Sequence, residues 1–180
     1  LKFAADPLPA SAEALSALEE STAARPRWLA FSTHPGEEEA IAAAHAILLK
    51  NFPDILTIIV PRHPARGAEI ETILEGHDLT WAARSRDEAV GSDTQVLLAD
   101  TMGELGVYFR LTDIAFVGGT LVPHGGQNPI EPARLGCAIV HGPHMDNFLA
   151  IEGELKAAGA SSVAATAEEI AREVGTLLSN

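Results

Sequence analysis

The sequence predicts an α/β fold in which a Rossmann-like parallel sheet is flanked by helices. Apolar segments of strand length alternate along the chain with longer segments of helical period, a pattern typical of parallel strands joined by crossover helices. Most of the strand segments are too uniformly apolar for a sheet face exposed to solvent, as expected for strands that helices cover on both faces. In such a sheet, ligands bind at the carboxyl ends of the strands. The loops at that edge are therefore the candidate functional loops.

The predicted elements follow one another without a second linker or an internal repeat. A helix over residues 11–23, with Ser11 as its N-cap, comes before the first strand, and residues 24–27 connect the two. Five strands have a clear apolar pattern, over residues 28–32, 55–60, 95–98, 114–117 and 138–140. Two weaker strands are predicted over residues 79–82 and 161–164.

The segments after the strands have the apolar period of helices. The first of them, over residues 36–50, carries Glu37, Glu38 and Glu39 in its first turn, where the helix dipole favours acids. We interpret these three acids as surface residues that aid solubility. The other predicted helices cover residues 65–75, 103–110, 129–135, 147–158 and 167–178.

Length and charge exclude several classes of function. The 180 residues predict one domain, over residues 1–180. The 25 acidic and 12 basic residues give a formal net charge of -13, which repels phosphate backbones, so no nucleic-acid partner is expected. No segment reaches the roughly 20 apolar residues of a membrane span, and the first residues lack the pattern of a signal peptide. This piece is expected to be soluble, and its start at Leu1-Lys2-Phe3 without Met suggests part of a longer protein.

Neither a cofactor nor a metal ion is predicted. No G-x-G-x-x-G follows the first strand and no P-loop is present. The seven histidines are dispersed over separate loops, and the carboxylates do not cluster as metal ligands would. Cys137, the only cysteine, begins an apolar segment and is expected to pack in the core rather than act as a nucleophile. A lone cysteine forms no internal disulfide, which fits a reducing cytoplasm.

The loops after the first two strands carry polar side chains suited to a ligand. Ser32, Thr33 and His34 follow the first strand; either hydroxyl could cap the next helix, and all three could line a site. Two prolines stiffen the loop after the second strand, which presents Arg62 beside His63. Because a guanidinium stays charged and offers a planar fork of donors, Arg62 is a candidate phosphate clamp. A solvated surface pair is the alternative.

Two further loops leave more than one interpretation open. After the strand over residues 95–98, Asp100 or Thr101 could cap the following helix. Gly103 would let the backbone approach a flat ligand, so the same loop could instead recognise a base. The loop after the last strong strand adds a secondary wall with two side chains, Asn147 as a cap or polar contact and Phe148 turned inward.

The longest candidate loop begins at Gly118 and leads into a helix. Pro129 suits the first turn of that helix with Asn128 as its cap, and free amides there attract anions. Glu131 lies in the same turn, and its carboxylate could accept two hydrogen bonds from the vicinal hydroxyls of a ribose. A surface partner of the helix dipole is the alternative role. Four glycines permit a tight path close to a ligand: Gly118, Gly119, Gly125 and Gly126.

Taken in order, five segments resemble the motifs of the 3-deoxy-D-manno-octulosonic acid (Kdo) transferases. They lie at residues 32–38, 61–64, 100–105, 118–132 and 142–144, and the match spans almost the whole chain. The opening Leu1-Lys2-Phe3 also resembles the interdomain segment of that family. The resemblance implies the C-terminal half of a GT-B glycosyltransferase, in which two Rossmann-like domains face each other and the C-terminal one binds the donor CMP-Kdo.

The same resemblance implies roles for the candidate residues. Arg62 and the glycine loop would hold the CMP phosphate, residues 100–104 would border the cytosine, and Glu131 would bind the ribose. Gln127 stands where similar sequences often place His, so it is assigned no acid or base role. The residues implied to bind CMP-Kdo are Ser32, Thr33, His34, Arg62, His63, Thr101, Met102, Gly103, Glu104, Gly118, Gly119, Gly125, Gly126, Gln127, Asn128, Glu131 and Asn147.

The resemblance also implies what lies outside this chain. The full enzyme would transfer Kdo to a lipid A precursor, with inversion and without a metal, at the cytoplasmic face of the bacterial inner membrane. Its acceptor domain, catalytic base and membrane anchor would belong to an N-terminal part, so no catalytic group is expected here. Two alternatives stay open: another GT-B enzyme, such as a UDP-sugar transferase or a UDP-sugar 2-epimerase, and a noncatalytic α/β binding module.

Overall fold

The fold is built on one parallel sheet of seven strands, described for residues 5–180 by a computed structural model. Leu1-Lys2-Phe3, expected to be an interdomain segment, lies outside the described residues. The strand order is β3-β4-β2-β1-β5-β6-β7, and every neighbouring pair is parallel. The strands are β1 (Arg27–Thr33), β2 (Leu56–Pro61), β3 (Trp81–Ala83), β4 (Val96–Leu98), β5 (Ile114–Val117), β6 (Ala138–His141) and β7 (Ser161–Val163). All seven predicted strands are confirmed, the two weaker ones included.

Helices occupy the predicted segments, and most of them begin about two residues later than predicted. They are α1 (Ala12–Ser21), α2 (Glu38–Leu48), α3 (Gly67–Gly76), α4 (Leu105–Leu111), α5 (Ile130–Arg134), α6 (Leu149–Ala157) and α7 (Ala167–Leu178). The predicted cap of α1 is confirmed, since Ser11 Oγ accepts from the backbone N–H of Ala14 at 3.1 Å. Late starts at α2, α3, α4 and α6 lengthen the loops at the carboxyl edge of the sheet.

The two faces of the sheet pack against separate sets of helices. Along β1, Trp28 and Ala30 belong to one apolar cluster and Leu29 and Phe31 to the other, because successive side chains of a strand point to opposite faces. Helices α2, α3 and α7 cover the first face, and α1 and α4 cover the second with part of α5 and α6. A sheet buried on both sides explains the uniformly apolar strands.

Cys137 has the structural role predicted for it. It is 4% exposed, and its Sγ lies 3.2 Å from the carbonyl oxygen of Thr112 and 3.3 Å from that of Phe109. Burial raises the pKa of the thiol to about 11. The thiol is therefore a buried, protonated group that packs between α4 and β6.

Arg25 lies at the end of the sheet opposite to the candidate loops, where the strands begin. The Nε atom of Arg25 donates to the carbonyl oxygen of Asp54 at 2.8 Å, and its two terminal nitrogens donate to those of Gly91 (3.1 Å) and Thr94 (2.5 Å). These carbonyls belong to the segments that lead into β2 and β4, while Arg25 itself leads into β1. A single side chain thus joins the starts of three adjacent strands.

Candidate functional site

The loops after β1, β2 and β4 form a pocket at the carboxyl edge of the sheet. Six of its lining residues are ones that the sequence predicted to bind a ligand. They are Ser32, Arg62, Thr101, Met102, Gly103 and Glu104, and the floor is completed by Val60, Pro61 and Leu105. Met102 is 73% exposed, so a large apolar side chain stands at the pocket rim. The structure therefore brings together the candidate residues of three separate motifs.

Three histidines gather beside this pocket. The ring centroid of His34 lies 4.0 Å from that of His124 and 6.4 Å from that of His63. Burial lowers the pKa of His34, and the neighbouring His124, His63 and Arg62 lower it further. An incoming anion would therefore favour the charged form of His34.

His124 is a member of this cluster that the sequence interpretation missed. It lies between Pro123 and Gly125 within the glycine loop, so its position in a candidate loop was a signal for it. The loop folds back until a Cβ at Gly119 would lie 3.0 Å from Cδ2 of His124 and 3.3 Å from Cδ2 of His34. Only a glycine at position 119, where φ is +71°, lets the backbone pass this closely beneath the two rings.

Gln127 joins the glycine loop to the loop after β1. Its Nε2 atom lies 3.0 Å from Nε2 of His34. Because an amide nitrogen only donates, the imidazole accepts through Nε2 in this arrangement. Gln127 thus orients His34, which agrees with assigning it no acid or base role.

Glu37 is not a surface residue, contrary to the prediction. Its side chain is fully buried, with 0% exposure. One carboxylate oxygen accepts from the backbone N–H groups of His34 (2.9 Å) and Gly119 (2.8 Å), and the other from those of Thr120 and Leu121 (3.0 Å each). The prediction failed because three of the four partners lie more than 80 positions away in the chain, where helical period gives no information.

Glu38 is buried as well, so the surface prediction is wrong for it too and holds only for the exposed Glu39. The carboxylate of Glu38 accepts from Thr33 Oγ1 at 2.9 Å and from the guanidinium of Arg66, with one of these bonds at 3.2 Å. Neither Ser32 nor Thr33 caps α2, because the Thr33 hydroxyl is bonded to Glu38 and the Ser32 backbone adopts φ +53°. The loop after β2, which carries Arg66, is thereby tied to the end of β1.

Several glycine-loop amides are already bonded within the protein. The N–H of Gly118 donates to the carbonyl of Phe31 at 2.8 Å, and that of Gly126 donates to the carbonyl of Gly119 at 2.9 Å. A Cβ at Gly125 would lie 2.5 Å from Nδ2 of Asn147. The N–H groups of Gly118, Gly119 and Gly126 are therefore not free to donate to a ligand. What these three glycines offer instead is a close approach of the backbone to its neighbours.

The last loop supports the glycine loop from the side. Asn147 donates from its backbone to the carbonyl of Gly125 at 3.1 Å and from Nδ2 to that of His124 at 3.4 Å. Its side chain does not cap α6, so the polar-contact interpretation is the correct one. Phe148 is partly buried against the core, as predicted.

Capping of α4 by Asp100 or Thr101 is wrong. The carboxylate of Asp100 accepts instead from the N–H and the hydroxyl of Ser85, at 2.9 and 2.7 Å. Thr101 Oγ1 donates to Glu104 at 2.7 Å, and Arg84 donates to the same carboxylate. The hydrogen bond from Arg84 lowers the pKa of Glu104. These bonds fix the path of the loop while Gly103, with φ +83°, makes its sharp turn.

Glu131 follows β5 and Arg62 follows β2, so both residues lie at the carboxyl edge of the parallel sheet. The segment before α1 lies between Glu131 and the pocket. Its Oε2 accepts from the N–H of Leu8 at 3.1 Å, and its Oε1 lies 3.3 Å from Nη1 of Arg134. The next residue, Pro9, passes so close to Gly106 in α4 that a Cβ there would lie 2.2 Å from the Pro9 carbonyl oxygen. Gly106 directly follows the pocket residue Leu105, so the contacts run unbroken from the pocket to Glu131.

The start of α5, the absence of a metal site and the absence of a membrane span were also predicted from the sequence. Asn128 is not the N-cap of α5, contrary to the prediction, because the helix begins one residue later and Pro129 takes the cap position. Asn128 Oδ1 still accepts from the N–H of Ile130 at 2.9 Å. Within residues 5–180, no three His, Cys, Asp or Glu side chains are grouped to hold a metal ion. Over the same residues, every helix is too short or too polar to cross a bilayer.

The sheet order and the polar loops at its carboxyl edge are those of a Rossmann-like ligand-binding domain. No family model matches the chain. The chain is 41% identical over 157 residues to a 3-deoxy-D-manno-octulosonic acid transferase of Haemophilus influenzae, a match that covers 87% of the chain and 37% of that protein. It is 38% identical to a probable mitochondrial enzyme of the same name from Arabidopsis thaliana, over 85% of the chain and 35% of that protein.

A solved domain of the same family is similar to this chain over most of its length. The C-terminal CMP-Kdo binding domain of WaaA from Acinetobacter baumannii superposes with a TM-score of 0.87 at 34% identity, over 93% of this chain and 88% of that one. The C-terminal domain of a group 1 glycosyl transferase from Francisella tularensis, with a TM-score of 0.56 at 13% identity over 96% and 86%, shares only the fold. The chain belongs to the Kdo transferase family, as predicted, and corresponds to its C-terminal domain. It spans slightly more than a third of the length of the two curated relatives.

Proposed function

We propose that the chain is the donor-binding domain of a Kdo transferase and that its ligand is CMP-Kdo. The observation that carries the proposal is the pocket in which Arg62 stands beside residues 101–105, in a fold that superposes on a CMP-Kdo binding domain. The guanidinium of Arg62 stays charged at every relevant pH, which suits it to a nucleotide phosphate. A shallow pocket bordered by a glycine turn and the exposed Met102 suits a planar base.

The contacts support a division of roles among the site residues. Arg62 holds the phosphate, assisted by His34, His63 and His124, which can each donate a hydrogen bond to it. The glycines at 118, 119, 125 and 126 let the ligand come close to the backbone. The residues Ser32, Thr33, Gln127, Asn128 and Asn147 shape the walls.

The base and the ribose are bound on the other side of the phosphate. Thr101, Met102, Gly103 and Glu104 border the cytosine. Glu131 accepts hydrogen bonds from the ribose hydroxyls, and for this its carboxylate exchanges the Leu8 N–H for the ligand. Such an exchange replaces one hydrogen bond by others of similar strength and so costs little.

In the whole protein, this domain acts together with a second one. An inverting transfer needs a base that deprotonates the attacking hydroxyl and a positive environment for the departing phosphate. Residues 1–180 form the single domain that supplies the second of these. The base, the site for the lipid A precursor and the attachment to the cytoplasmic face of the bacterial inner membrane belong to another part of the protein. The transfer proceeds without a metal.

Calorimetric titration with CMP, UMP and UDP tests the proposal. We expect CMP to bind and to be preferred. Arg62→Ala should weaken CMP binding by about 10- to 100-fold, because a charge-assisted hydrogen bond contributes about 1.5–3 kcal/mol. Arg172→Ala removes an exposed arginine of α7, whose side chain is 67% exposed, and should leave the affinity unchanged.

The other outcomes identify the alternatives. A clear preference for UDP would indicate another GT-B enzyme. Tight CMP binding by the double variant Arg62→Ala/Glu131→Ala would show that the pocket is misassigned. No binding of any nucleotide by the parent would favour a noncatalytic module.

A further inference from the structure

We infer that Glu37 is a positioning residue of the donor site, which holds the glycine loop in place against the loop after β1. This inference rests on the proposed function, and it concerns a residue that contacts no proposed ligand group. The sequence interpretation placed Glu37 on the surface. Its burial and its four backbone partners are what the structure adds.

The carboxylate of Glu37 occupies a concave group of backbone amides. The N–H groups of Gly119, Thr120 and Leu121 are consecutive and all point at it, at 2.8, 3.0 and 3.0 Å. Successive amides of this kind form the concavities in which proteins bind anions. Here the anion is a side chain of the same chain. A ligand phosphate therefore has to be held by other groups, which are Arg62 and the histidines.

The two segments that Glu37 joins carry those groups. The loop after β1 carries His34, whose own N–H donates to Glu37 at 2.9 Å. The glycine loop carries His124 and Gln127, which contact the His34 ring. The relative position of the three side chains is thus set by one carboxylate, because it is bonded to both backbones.

A buried carboxylate persists in a protein only when its oxygens are well bonded. The four N–H partners of Glu37 meet that condition, and hydrogen bonds to a charged acceptor are stronger than neutral ones. An amide cannot replace the carboxylate: the carbonyl oxygen of glutamine would serve two of the N–H groups, but its NH₂ would face the other two donors. Glu37→Gln therefore disrupts one half of the arrangement at almost constant volume.

The adjacent acids provide a matched series. Glu38 is also fully buried but holds Arg66 and Thr33, and so the loop after β2. Glu39 is exposed and pairs with His77 at 2.6 Å, on the surface between α2 and α3. Glu39→Gln removes the same charge from the same helical turn without touching the glycine loop. It is the control for net charge and helix dipole.

The test measures CMP affinity by calorimetry at a temperature at which all variants are folded. We expect Glu37→Gln to weaken CMP binding at least 10-fold and Glu39→Gln to stay within about twofold of the parent. Val174→Ala, a change in the fully buried core of α7, lowers stability away from the site and should also keep the parent affinity. This separates positioning from a general loss of stability.

A second measurement follows the loop itself. By NMR hydrogen exchange, the amides of Gly119, Thr120 and Leu121 should exchange faster in Glu37→Gln, while amides of β1 exchange as in the parent. If Glu37→Gln does not fold, Glu37→Asp takes its place, with Glu39→Asp as control; the shorter side chain should weaken CMP binding several-fold.

Parent affinity in the Glu37 variant that is used would overturn the inference, whether or not the amides exchange faster. Failure of the parent to bind CMP would instead remove the proposed function. The exchange data would then show separately whether Glu37 holds the loop.

Discussion

The Nε2 atoms of His34 and Gln127 lie 3.0 Å apart, and this contact joins the loop after β1 to the loop after β5. Because the amide nitrogen donates, the proton of the neutral imidazole is on Nδ1. Burial and the neighbouring His124 and His63 lower the pKa of His34. The ligand-free site thus holds a neutral histidine whose charge an anionic ligand would favour.

CMP binding should become tighter as the pH is lowered from 8 towards 6, and His34 should cause part of this change. A bound phosphate raises the pKa of an adjacent imidazole, so protonation and binding favour each other. The measurement is the CMP dissociation constant at several pH values. We expect His34→Asn to flatten the profile.

The control for this profile is His77→Asn. His77 pairs with Glu39 on the surface between α2 and α3, and its removal should leave the pH dependence unchanged. Both phosphate and buffer titrate in all variants alike, so only the difference between profiles counts. Identical profiles for the parent and His34→Asn would contradict the assignment.

Stability should decrease in mild acid because of a second histidine, His45. Its Nδ1 lies 2.7 Å from Thr57 Oγ1, and its Nε2 has no partner among the described residues. Burial lowers its pKa to about 4, whereas the unfolded chain binds the proton near 6.5. The stability contribution is therefore complete above about pH 6.5 and is lost as the pH falls towards 4.

By pH 5 this loss should reach about 2 kcal/mol of unfolding free energy. Urea unfolding at pH 7 and pH 5 measures it. In His45→Leu the loss between the two pH values should be smaller by that amount, although the variant is less stable at pH 7 because Thr57 loses its partner. A pH dependence equal to that of the parent would show that His45 titrates normally.

Glycine 118 should tolerate no side chain. A Cβ there would lie 2.0 Å from the carbonyl oxygen of Ser32 and 2.6 Å from that of Phe31, and neither backbone group can move without breaking the sheet. Gly118→Ala should lower the unfolding free energy by at least about 3 kcal/mol. Thermal and urea unfolding measure the change.

The matched variant is Gly153→Ala in α6, where a Cβ meets nothing within 4 Å. Alanine has a higher helix propensity than glycine, so this variant should gain about 0.5–1 kcal/mol. A destabilised Gly153→Ala together with an unaffected Gly118→Ala would mean that the path of the glycine loop is different.

The thiol of Cys137 should be unreactive in the folded protein. Its raised pKa, about 11, leaves little thiolate at pH 8, and burial blocks access. A chromogenic disulfide reagent should therefore modify it only after unfolding in urea, as followed by absorbance. Equal rates in folded and unfolded protein would contradict its burial between α4 and β6.

The sheet could be predicted from the sequence because each strand shows its burial locally. Residues 55–60, for example, are apolar except for Thr57, and this pattern needs no knowledge of distant residues. Helix starts were predicted less well, since the residues before α2 bond to other loops instead of capping their own helix. The carboxylate of Glu37 illustrates the difficulty, because three of its four N–H partners lie more than 80 positions away in the chain.

The site was predicted through its loops more than through its contacts. The pattern of polar residues after parallel strands was sufficient to predict that Arg62 and residues 101–104 lie at one edge, and they line one pocket there. The surface assignment of Glu37 and Glu38 failed because an acid in a first helical turn has the same local pattern whether it faces water or the core. Asp100 resembled a cap for the same reason, although its partner is Ser85 in the neighbouring loop.

Arg25 gives the molecule a fixed end opposite to its binding end. Its planar fork reaches carbonyls of three segments in different directions, which the single point charge of a lysine could not do at once. Arg25→Lys would therefore loosen the alignment of β1, β2 and β4 together. Because Arg25 holds that alignment from below, the loops at the other end do not have to hold it.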